Sequence, residues 1–115
     1  MSTDCLFCKI IAGQIPAKVV HQDEHTLGFQ DIAPQAPTHV LFVPKRHVAT
    51  LNDAVIEDRE LLGHLMLVAS KYAREHGIGE SGYRQVINCN RDGGQTVFHI
   101  HLHLLGGRQM TWPPG

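Results

Sequence analysis

The densest group of residues able to do chemistry is a run in which histidine alternates with apolar residues. It reads Phe-His-Ile-His-Leu-His-Leu over residues 98–104. In a β-strand successive side chains point to opposite faces, so His99, His101 and His103 would share one side. The four apolar residues would face the core from the other side. The alternative without chemistry is a half-buried strand whose solvent face carries histidines.

A single metal ion cannot hold all three of these histidines. A strand rises by about 3.3 Å per residue, which separates His99 from His103 by about 13 Å. Zinc takes nitrogen ligands at only about 2.0–2.1 Å. At most a neighbouring pair could share one ion, so at least one imidazole remains for nucleophilic or general acid–base work.

The loop before the histidine run offers groups that can hold phosphate. It reads Gly93-Gly94-Gln95-Thr96 and supplies unobstructed backbone N–H groups, an amide and a hydroxyl. An ordinary turn is the alternative for a Gly-Gly pair. Beside three aligned imidazoles, the loop favours phosphate chemistry at a histidine.

The elements that must position these residues indicate an α+β fold. A short helix is predicted from Cys5 to Ile11, and one long helix from Ile56 to Glu75. The predicted strands are Lys18 to Gln22, Thr26 to Asp31, His39 to Val43, Tyr83 to Asn88 and Val97 to Leu105. This order predicts one domain over residues 1–115, with an antiparallel sheet of about five strands and the long helix packed across it.

Composition excludes several classes of function. The chain has 115 residues, 43% of them hydrophobic, and a net charge of -1. Such a balance offers no basic stripe for a nucleic-acid polymer. No apolar run reaches the roughly 18 residues of a membrane span. Three cysteines, an odd number, fit a reducing compartment, so a cytoplasmic location is expected.

The histidine run and the two leucines after it, residues 99–105, resemble the motif of the histidine triad (HIT) superfamily. Within it, the resemblance is to the Hint branch, the histidine triad nucleotide-binding proteins, and covers essentially the whole chain. The other matching segments are residues 7–11, 31–39, 93–96 and 106–115. The resemblance implies a purine nucleoside phosphoramidase. Such an enzyme hydrolyses adenosine 5′-phosphoramidates to AMP through a nucleotidyl-histidine, with acyl-adenylates as further candidate substrates.

The resemblance also implies catalytic roles. His101 corresponds to the nucleophile, and the backbone carbonyl of His99 would hold its Nδ1-H. His103 would donate to a phosphate oxygen. Thr96 or His103 would relay the proton to the leaving nitrogen, and His39 would support His101 or His103 by hydrogen bonding. The other histidines, at positions 21, 25, 64 and 76, are interpreted as surface or helix-face residues.

The same resemblance implies a nucleotide site. Gln95 and Thr96 correspond to contacts with the phosphate and the leaving group, beside the backbone of Gly94. Asn88 corresponds to a phosphate and ribose contact. Asp31 would accept both ribose hydroxyls, with a loop-capping role as the alternative. The apolar slot for the purine corresponds to Phe7, Ile10, Phe29 and Ile32, which physical reasoning alone would place in the core.

Cys5 and Cys8 have metal-ligand spacing, but a single such pair is half of a zinc site. Resemblance to the transferase branch and to many bacterial members implies that His47 and His99 complete it. We therefore expect a structural Zn(II), with no cofactor required for catalysis. A site without metal and a redox pair are the alternatives.

The tail, residues 110–115, resembles a family segment that reaches the partner subunit's site. It implies a homodimer with one sheet continued across it and Trp112 near the partner's site; an unanchored tail is the alternative. Three other functions stay open. These are a non-catalytic nucleotide-binding or regulatory scaffold, a dinucleoside polyphosphate hydrolase of the Fhit-like branch, and a metal-dependent enzyme or metal-storage module.

Overall fold

Five antiparallel strands form one sheet in the computed structural model, which describes residues 4–115. The strands are β1 (Val19–Gln22), β2 (Thr26–Gln30), β3 (Thr38–Pro44), β4 (Tyr83–Ile87) and β5 (Leu102–Gly106). Their spatial order is β1-β2-β3-β5-β4. The predicted α+β architecture is therefore confirmed, and β4 is an edge strand.

Three α-helices accompany the sheet in the part of the chain that the structure describes. They are α1 (Leu6–Ile11), α2 (Arg59–Glu75) and α3 (Asn90–Gly93). The long helix was expected to begin at Ile56, but that first turn is a separate 3-10 turn, Ile56–Asp58. The predicted turn after β4 contains α3, which ends where Gly94 adopts φ 82°, a conformation that favours glycine. Within residues 4–115, no helix combines the length and apolarity that a bilayer span requires.

The sheet is covered on both faces, because side chains of β3 alternate between two apolar clusters. Val40 and Phe42 face α2, while Leu41 and Val43 face α1. The cluster under α2 also contains Leu65, Ala69, Ala73, Ile100, Leu102 and Leu104. The cluster under α1 also contains Cys5, Phe7, Leu27 and Phe29. The short helix thus packs on the face of the sheet that His103 shares, opposite Leu102 and Leu104.

The predicted strand from Val97 to Leu105 was wrong in its first half. Pairing between β3 and β5 starts only at Phe42 and Leu102. Before that point the N–H of Ile100 donates to the carbonyl of Val48 at 2.8 Å, outside the sheet. Phe98 is consequently half exposed rather than part of the core.

Candidate active site

His101 is buried against α1 and has one ring nitrogen free. Its Nδ1 donates to the carbonyl oxygen of His99 at 2.8 Å. Its ring packs edge-on against Phe7, with centroids 5.0 Å apart. Among residues 4–115, nothing forms a hydrogen bond with its Nε2. Burial lowers the pKa of His101, so the imidazole is neutral near pH 7 with the Nε2 lone pair available, as a nucleophile requires.

His103 is held in the opposite tautomer by a short chain of hydrogen bonds. The N–H of Gln35 donates to Nδ1 of His39 at 3.0 Å, so the proton of His39 must be on Nε2. That Nε2 lies 2.9 Å from Nδ1 of His103 and donates to it. The proton of His103 is therefore on Nε2. Burial, and then the neighbouring His101 and His39, lower the pKa of His103 to about 4, so this donor is neutral.

Asp31 lies beside this chain and caps its own loop. One carboxylate oxygen accepts the N–H of Ala33 at 2.8 Å, which is the loop-capping role considered as the alternative. The other lies 3.4 Å from Nε2 of His39. The carboxylate is half-buried, so it combines a structural contact with a position beside the paired imidazoles. The two roles are compatible, because a carboxylate accepts several hydrogen bonds.

Cys5, Cys8, His47 and His99 form a compact four-atom cluster, with all donor atoms within 4.8 Å of one another. The Nδ1 atoms of His47 and His99 are 3.2 Å apart. Three sulfur–nitrogen distances are 3.3, 3.4 and 3.6 Å. Tetrahedral zinc with ordinary bond lengths has nitrogen–nitrogen edges of about 3.3 Å and sulfur–nitrogen edges of about 3.6 Å. The four residues therefore fit Zn(II).

The far side of His99 completes this fit. Its Nε2 donates to the carbonyl of Pro44 at 2.7 Å, which leaves Nδ1 without a proton and directed at the cluster. A histidine ligand commonly uses its second nitrogen in this way, which fixes the tautomer and the ring. Burial lowers the pKa of His99 to about 4 and so keeps the ring in its neutral, metal-binding form. The predicted ligand set is thus brought together from three separate segments.

The four residues of the predicted purine slot are not all in the core. Phe7 and Phe29 are buried and meet edge-on, with centroids 5.4 Å apart. Ile10 is partly buried against the same cluster. Ile32 is 99% exposed, so its assignment to the core by physical reasoning is wrong. It lies on the proline-rich loop after β2, where no element within residues 4–115 covers it.

Gln95 does not present its amide to the histidines. Its Nε2 donates to the carbonyls of Ala49 and Val97 at 2.8 and 3.0 Å, and its Oε1 accepts the N–H of Asn90 at 2.8 Å. Both amide hydrogens and the amide oxygen of Gln95 thus form hydrogen bonds that stabilise the loop. The expectation that this side chain contacts phosphate does not match the structure. The position of Gln95 next to a turn was the local signal for this structural role, because polar side chains at turns often form hydrogen bonds with nearby backbone groups.

The remaining loop residues lie at different places around the site. Thr96 is exposed and lines a cavity of about 400 Å³ with Cys5, His47 and Phe98, next to the four-atom cluster. Gly94 is exposed, and its N–H donates to a carbonyl within the loop. Asn88 is half-buried directly after β4.

A polar group that the sequence did not reveal joins β1 to α2. Oδ2 of Asp23 lies 2.7 Å from Nε2 of His21 and 2.9 Å from Nε2 of His64. Burial raises the pKa of Asp23, but hydrogen bonds from Thr26, His21, the His25 backbone and His64 outweigh it and hold the pKa well below its usual range. The three side chains come from positions up to 43 residues apart, so no local spacing predicts the group.

The comparisons with known proteins agree with this geometry. Residues 12–110 match the HIT domain. The chain belongs to the HIT family. A crystal structure of a HIT family hydrolase from Legionella pneumophila Philadelphia 1 is 60% identical, with a TM-score of 0.96, and covers 97% of this chain and 100% of that one.

Two curated HIT relatives match over nearly their full lengths. The purine nucleoside phosphoramidase of Escherichia coli is 48% identical over 110 residues, which is 96% of this chain and 92% of that protein. An uncharacterized HIT-like protein of Synechococcus elongatus is 52% identical over the whole of both chains. The family match over residues 12–110 includes the histidine motif at residues 99–105.

Proposed function

We propose that this HIT protein is a hydrolase of the Hint branch that cleaves the P–N bond of purine nucleoside 5′-phosphoramidates. Adenosine 5′-phosphoramidate is the type substrate, and AMP and an amine are the products. The observation that carries the proposal is the tautomer of His101, whose Nδ1 is committed to a carbonyl while Nε2 is free. The 48% identity to a purine nucleoside phosphoramidase supports the substrate class.

In the first step, Nε2 of His101 forms a bond to the α-phosphorus as the P–N bond to the amine breaks. The leaving nitrogen keeps the electron pair of that bond and takes one proton from solvent water. The carbonyl of His99 stabilises the positive charge that develops on the substituted imidazole, because it accepts the Nδ1 hydrogen at 2.8 Å. Covalent catalysis of this kind divides one difficult displacement into two easier ones.

In the second step, water attacks the phosphorus of the nucleotidyl-histidine. The P–Nε2 bond breaks and its electron pair returns to His101, while the attacking water gives up to solvent one proton, which balances the proton that the amine took up. His103 donates a hydrogen bond through Nε2 to a phosphate oxygen in both steps, because His39 fixes its hydrogen there. This hydrogen-bond donor is assigned to His103 and not to Thr96, because Thr96 lines the cavity beside Cys5 and His47.

Substrate binding is assigned to groups around the two histidines. The carboxylate of Asp31 would accept the ribose hydroxyls next to His39. Phe7, Ile10 and Phe29 would form the apolar wall for the purine, with the exposed Ile32 at its edge. Asn88 and the backbone of Gly94 remain candidates for phosphate and ribose contacts, whereas Gln95 shapes their loop.

Cys5, Cys8, His47 and His99 would hold Zn(II) in a structural role. The bound ion would supply a tetrahedral crosslink between the start of α1, the segment after β3 and the histidine segment. Neither chemical step needs a cofactor, because a neutral imidazole is already nucleophilic near pH 7.

A homodimer in which the sheet continues across the edge strand β4 is also part of the proposal. Among residues 4–115, Oε1 of Gln85 on this strand is buried without a hydrogen-bond partner, while its Nε2 donates to Met66 and Ser70 of α2. Such an oxygen requires a partner, and an edge strand offers unpaired backbone groups. Trp112 is 83% exposed, as expected for a tail that packs on a second subunit.

Light scattering on the purified protein tests the homodimer. We expect a mass of two chains, and a shortened chain that ends at Met110 should bind AMP more weakly if the tail reaches the partner's site. A mass of one chain at micromolar concentration would contradict this part of the proposal.

The activity itself is tested with wild type, His101→Ala and a fluorogenic adenosine 5′-phosphoramidate. We expect amine release by wild type, none above background by His101→Ala, and a transient nucleotidyl adduct by intact mass. His25→Ala, an exposed histidine outside the site, is the matched control. Tight AMP binding without turnover would favour the regulatory scaffold. Faster cleavage of a dinucleoside polyphosphate than of the phosphoramidate would favour the Fhit-like activity.

A further inference from the structure

The proposed nucleophile lies outside the sheet that supports its neighbours. Pairing with β3 starts at Leu102, so neither His99 nor His101 has a place in the hydrogen-bonded ladder. His103, two residues further on, lies within β5 and pairs with Leu41 of β3. The position of His101 relative to His103 therefore depends on what anchors the segment just before the strand.

Three anchors hold this segment, and two of them act on the ring of His99. The N–H of Ile100 donates to Val48 at 2.8 Å. Nε2 of His99 donates to Pro44 at 2.7 Å. On the opposite side of the same ring, Nδ1 faces Cys5, Cys8 and His47 at 3.2 to 3.6 Å. The ring is thus gripped from both sides.

The backbone of His99 passes this constraint on to the nucleophile. Its carbonyl oxygen accepts the Nδ1 hydrogen of His101 at 2.8 Å, so the orientation of the His101 ring follows the position of that carbonyl. The cluster is therefore linked to the ring of His101 through a single residue, His99, and a single hydrogen bond. The hydrogen bond from Nε2 to Pro44 alone leaves the ring of His99 able to tilt, whereas a metal bond at Nδ1 would restrict that movement.

We propose that Cys8 and His47 are positioning residues for His101, acting through a metal ion that they hold together with Cys5 and His99. This inference rests on the proposed function, in which His101 is the nucleophile. Metal occupancy would then set the rate of nucleotidyl transfer and not only the stability of the fold. Without the ion, Nε2 of His99 keeps its hydrogen bond to Pro44, but Nδ1 faces only His47 and two thiols, which are weak hydrogen-bond donors.

The effect is expected mainly on kcat. Of the groups assigned to the nucleoside, Asp31 and Phe29 belong to β2 and the loop after it, and in the described chain they form no hydrogen bond with the four ligands. Phe7 and Ile10 lie on α1, which also carries the cysteine ligands, so part of the purine wall depends on the cluster. A displacement of about 1 Å at a reacting centre lowers a rate by about 100-fold. Metal-free protein should therefore form the nucleotidyl adduct about 100-fold more slowly and lose little affinity for AMP.

The experiment compares zinc-loaded, chelator-stripped and zinc-reconstituted wild type. Zinc content, far-UV circular dichroism, the Kd for AMP and the single-turnover rate of adduct formation are measured on each. His47→Ala should behave as the stripped protein does, and His25→Ala as the loaded wild type. His47→Cys should bind zinc and recover the rate, because a cysteine sulfur reaches nearly the place of Nδ1 and is itself a zinc ligand.

Several outcomes would overturn the inference. One is purified protein that neither contains nor takes up zinc; another is a folded, stripped protein that keeps its single-turnover rate. Parallel loss of circular dichroism, AMP binding and rate would also overturn it, in favour of a purely structural site. Loss of rate at constant AMP affinity, reversed by zinc, supports it.

A spectroscopic measurement separates this inference from the proposed function. In ¹⁵N-labelled protein the Nδ1-H of His101, assigned by its absence in His101→Ala, should be a sharp, slowly exchanging signal when zinc is bound. Stripping should broaden or remove it while the amide signals of β3 and β5 stay in place. If loaded wild type hydrolyses no phosphoramidate, the proposed function fails, and this signal still decides whether the metal positions His101. An unchanged signal after stripping refutes the positioning role.

Discussion

Replacing His39 with alanine tests whether His103 needs a fixed tautomer. In the folded protein Nδ1 of His39 accepts the backbone N–H of Gln35 at 3.0 Å, so its Nε2 carries the hydrogen and donates to Nδ1 of His103 at 2.9 Å. The variant removes the donor to Nδ1 of His103 and leaves that nitrogen buried without a partner. The imidazole of His103 can then place its proton on Nδ1, which removes the donor from the phosphate side.

The size of the effect follows from the cost of the broken contact. An unpaired buried acceptor costs about 1–3 kcal/mol. If the whole cost appears in the transition state, where His103 donates to developing charge, the rate falls by about 5- to 150-fold. The expected signature is a lower kcat with little change in KM, because the lost interaction strengthens only as charge develops.

His39→Gln is the matched variant. Its side-chain amide nitrogen reaches about as far as Nε2 of histidine and can donate to Nδ1 of His103, so it should recover most of the rate. The assay is steady-state cleavage of the fluorogenic phosphoramidate, with urea unfolding to confirm that both variants are folded. A kcat for His39→Ala within two-fold of wild type, or a glutamine variant no better than alanine, would refute the proton assignment on which the mechanism depends.

Two further predictions concern the fold. Asp23→Asn should lower the free energy of unfolding at pH 7 by about 2 kcal/mol, because charge-assisted hydrogen bonds to two histidines and Thr26 are lost. The folded-state pKa is depressed, so wild type loses this stabilisation as the pH falls below about 4, and urea titrations should show the two proteins converging there. Gly28→Ala would place a Cβ 2.8 Å from the buried ring of Phe42, which should cost about 1–3 kcal/mol and lower Tm; an unchanged Tm would contradict the tight packing.

The sequence predicted the elements well where a local pattern and the tertiary contacts agree. The spacing of Leu65, Ala69 and Ala73 indicates one buried helical stripe, and all three are fully buried. The short strand from Thr26 was predicted within one residue of its observed end. In each case the residue pattern that predicts the element also packs it on the sheet.

Prediction failed where a tertiary contact overrides the local pattern. Alternation from Val97 to Leu105 favours one continuous strand, yet its first half is bound by Val48 and Pro44, whose carbonyls take the N–H of Ile100 and the ring of His99. Those partners are about 50 residues away, so no window of the sequence contains them. The expected contact between the Gln95 amide and phosphate was likewise based on local residues. It could not take account of Ala49, whose carbonyl accepts a hydrogen bond from that amide.

The three histidines of the motif therefore differ in role because they differ in partner, although their types and spacing are identical. The ring of His99 is bound through both nitrogens, Nε2 by a carbonyl and Nδ1 by the cysteine and histidine cluster, so it has no nitrogen left for substrate. His101 is bound through Nδ1 alone and has its lone pair free on Nε2, while His103 accepts at Nδ1 and has its hydrogen on Nε2. A nucleophile and a donor side by side require these opposite tautomers. The carbonyl of His99 sets the tautomer of His101, and His39, outside the motif, sets that of His103. A change at His39 is thus the more direct way to alter the donor while all three histidines of the motif stay in place.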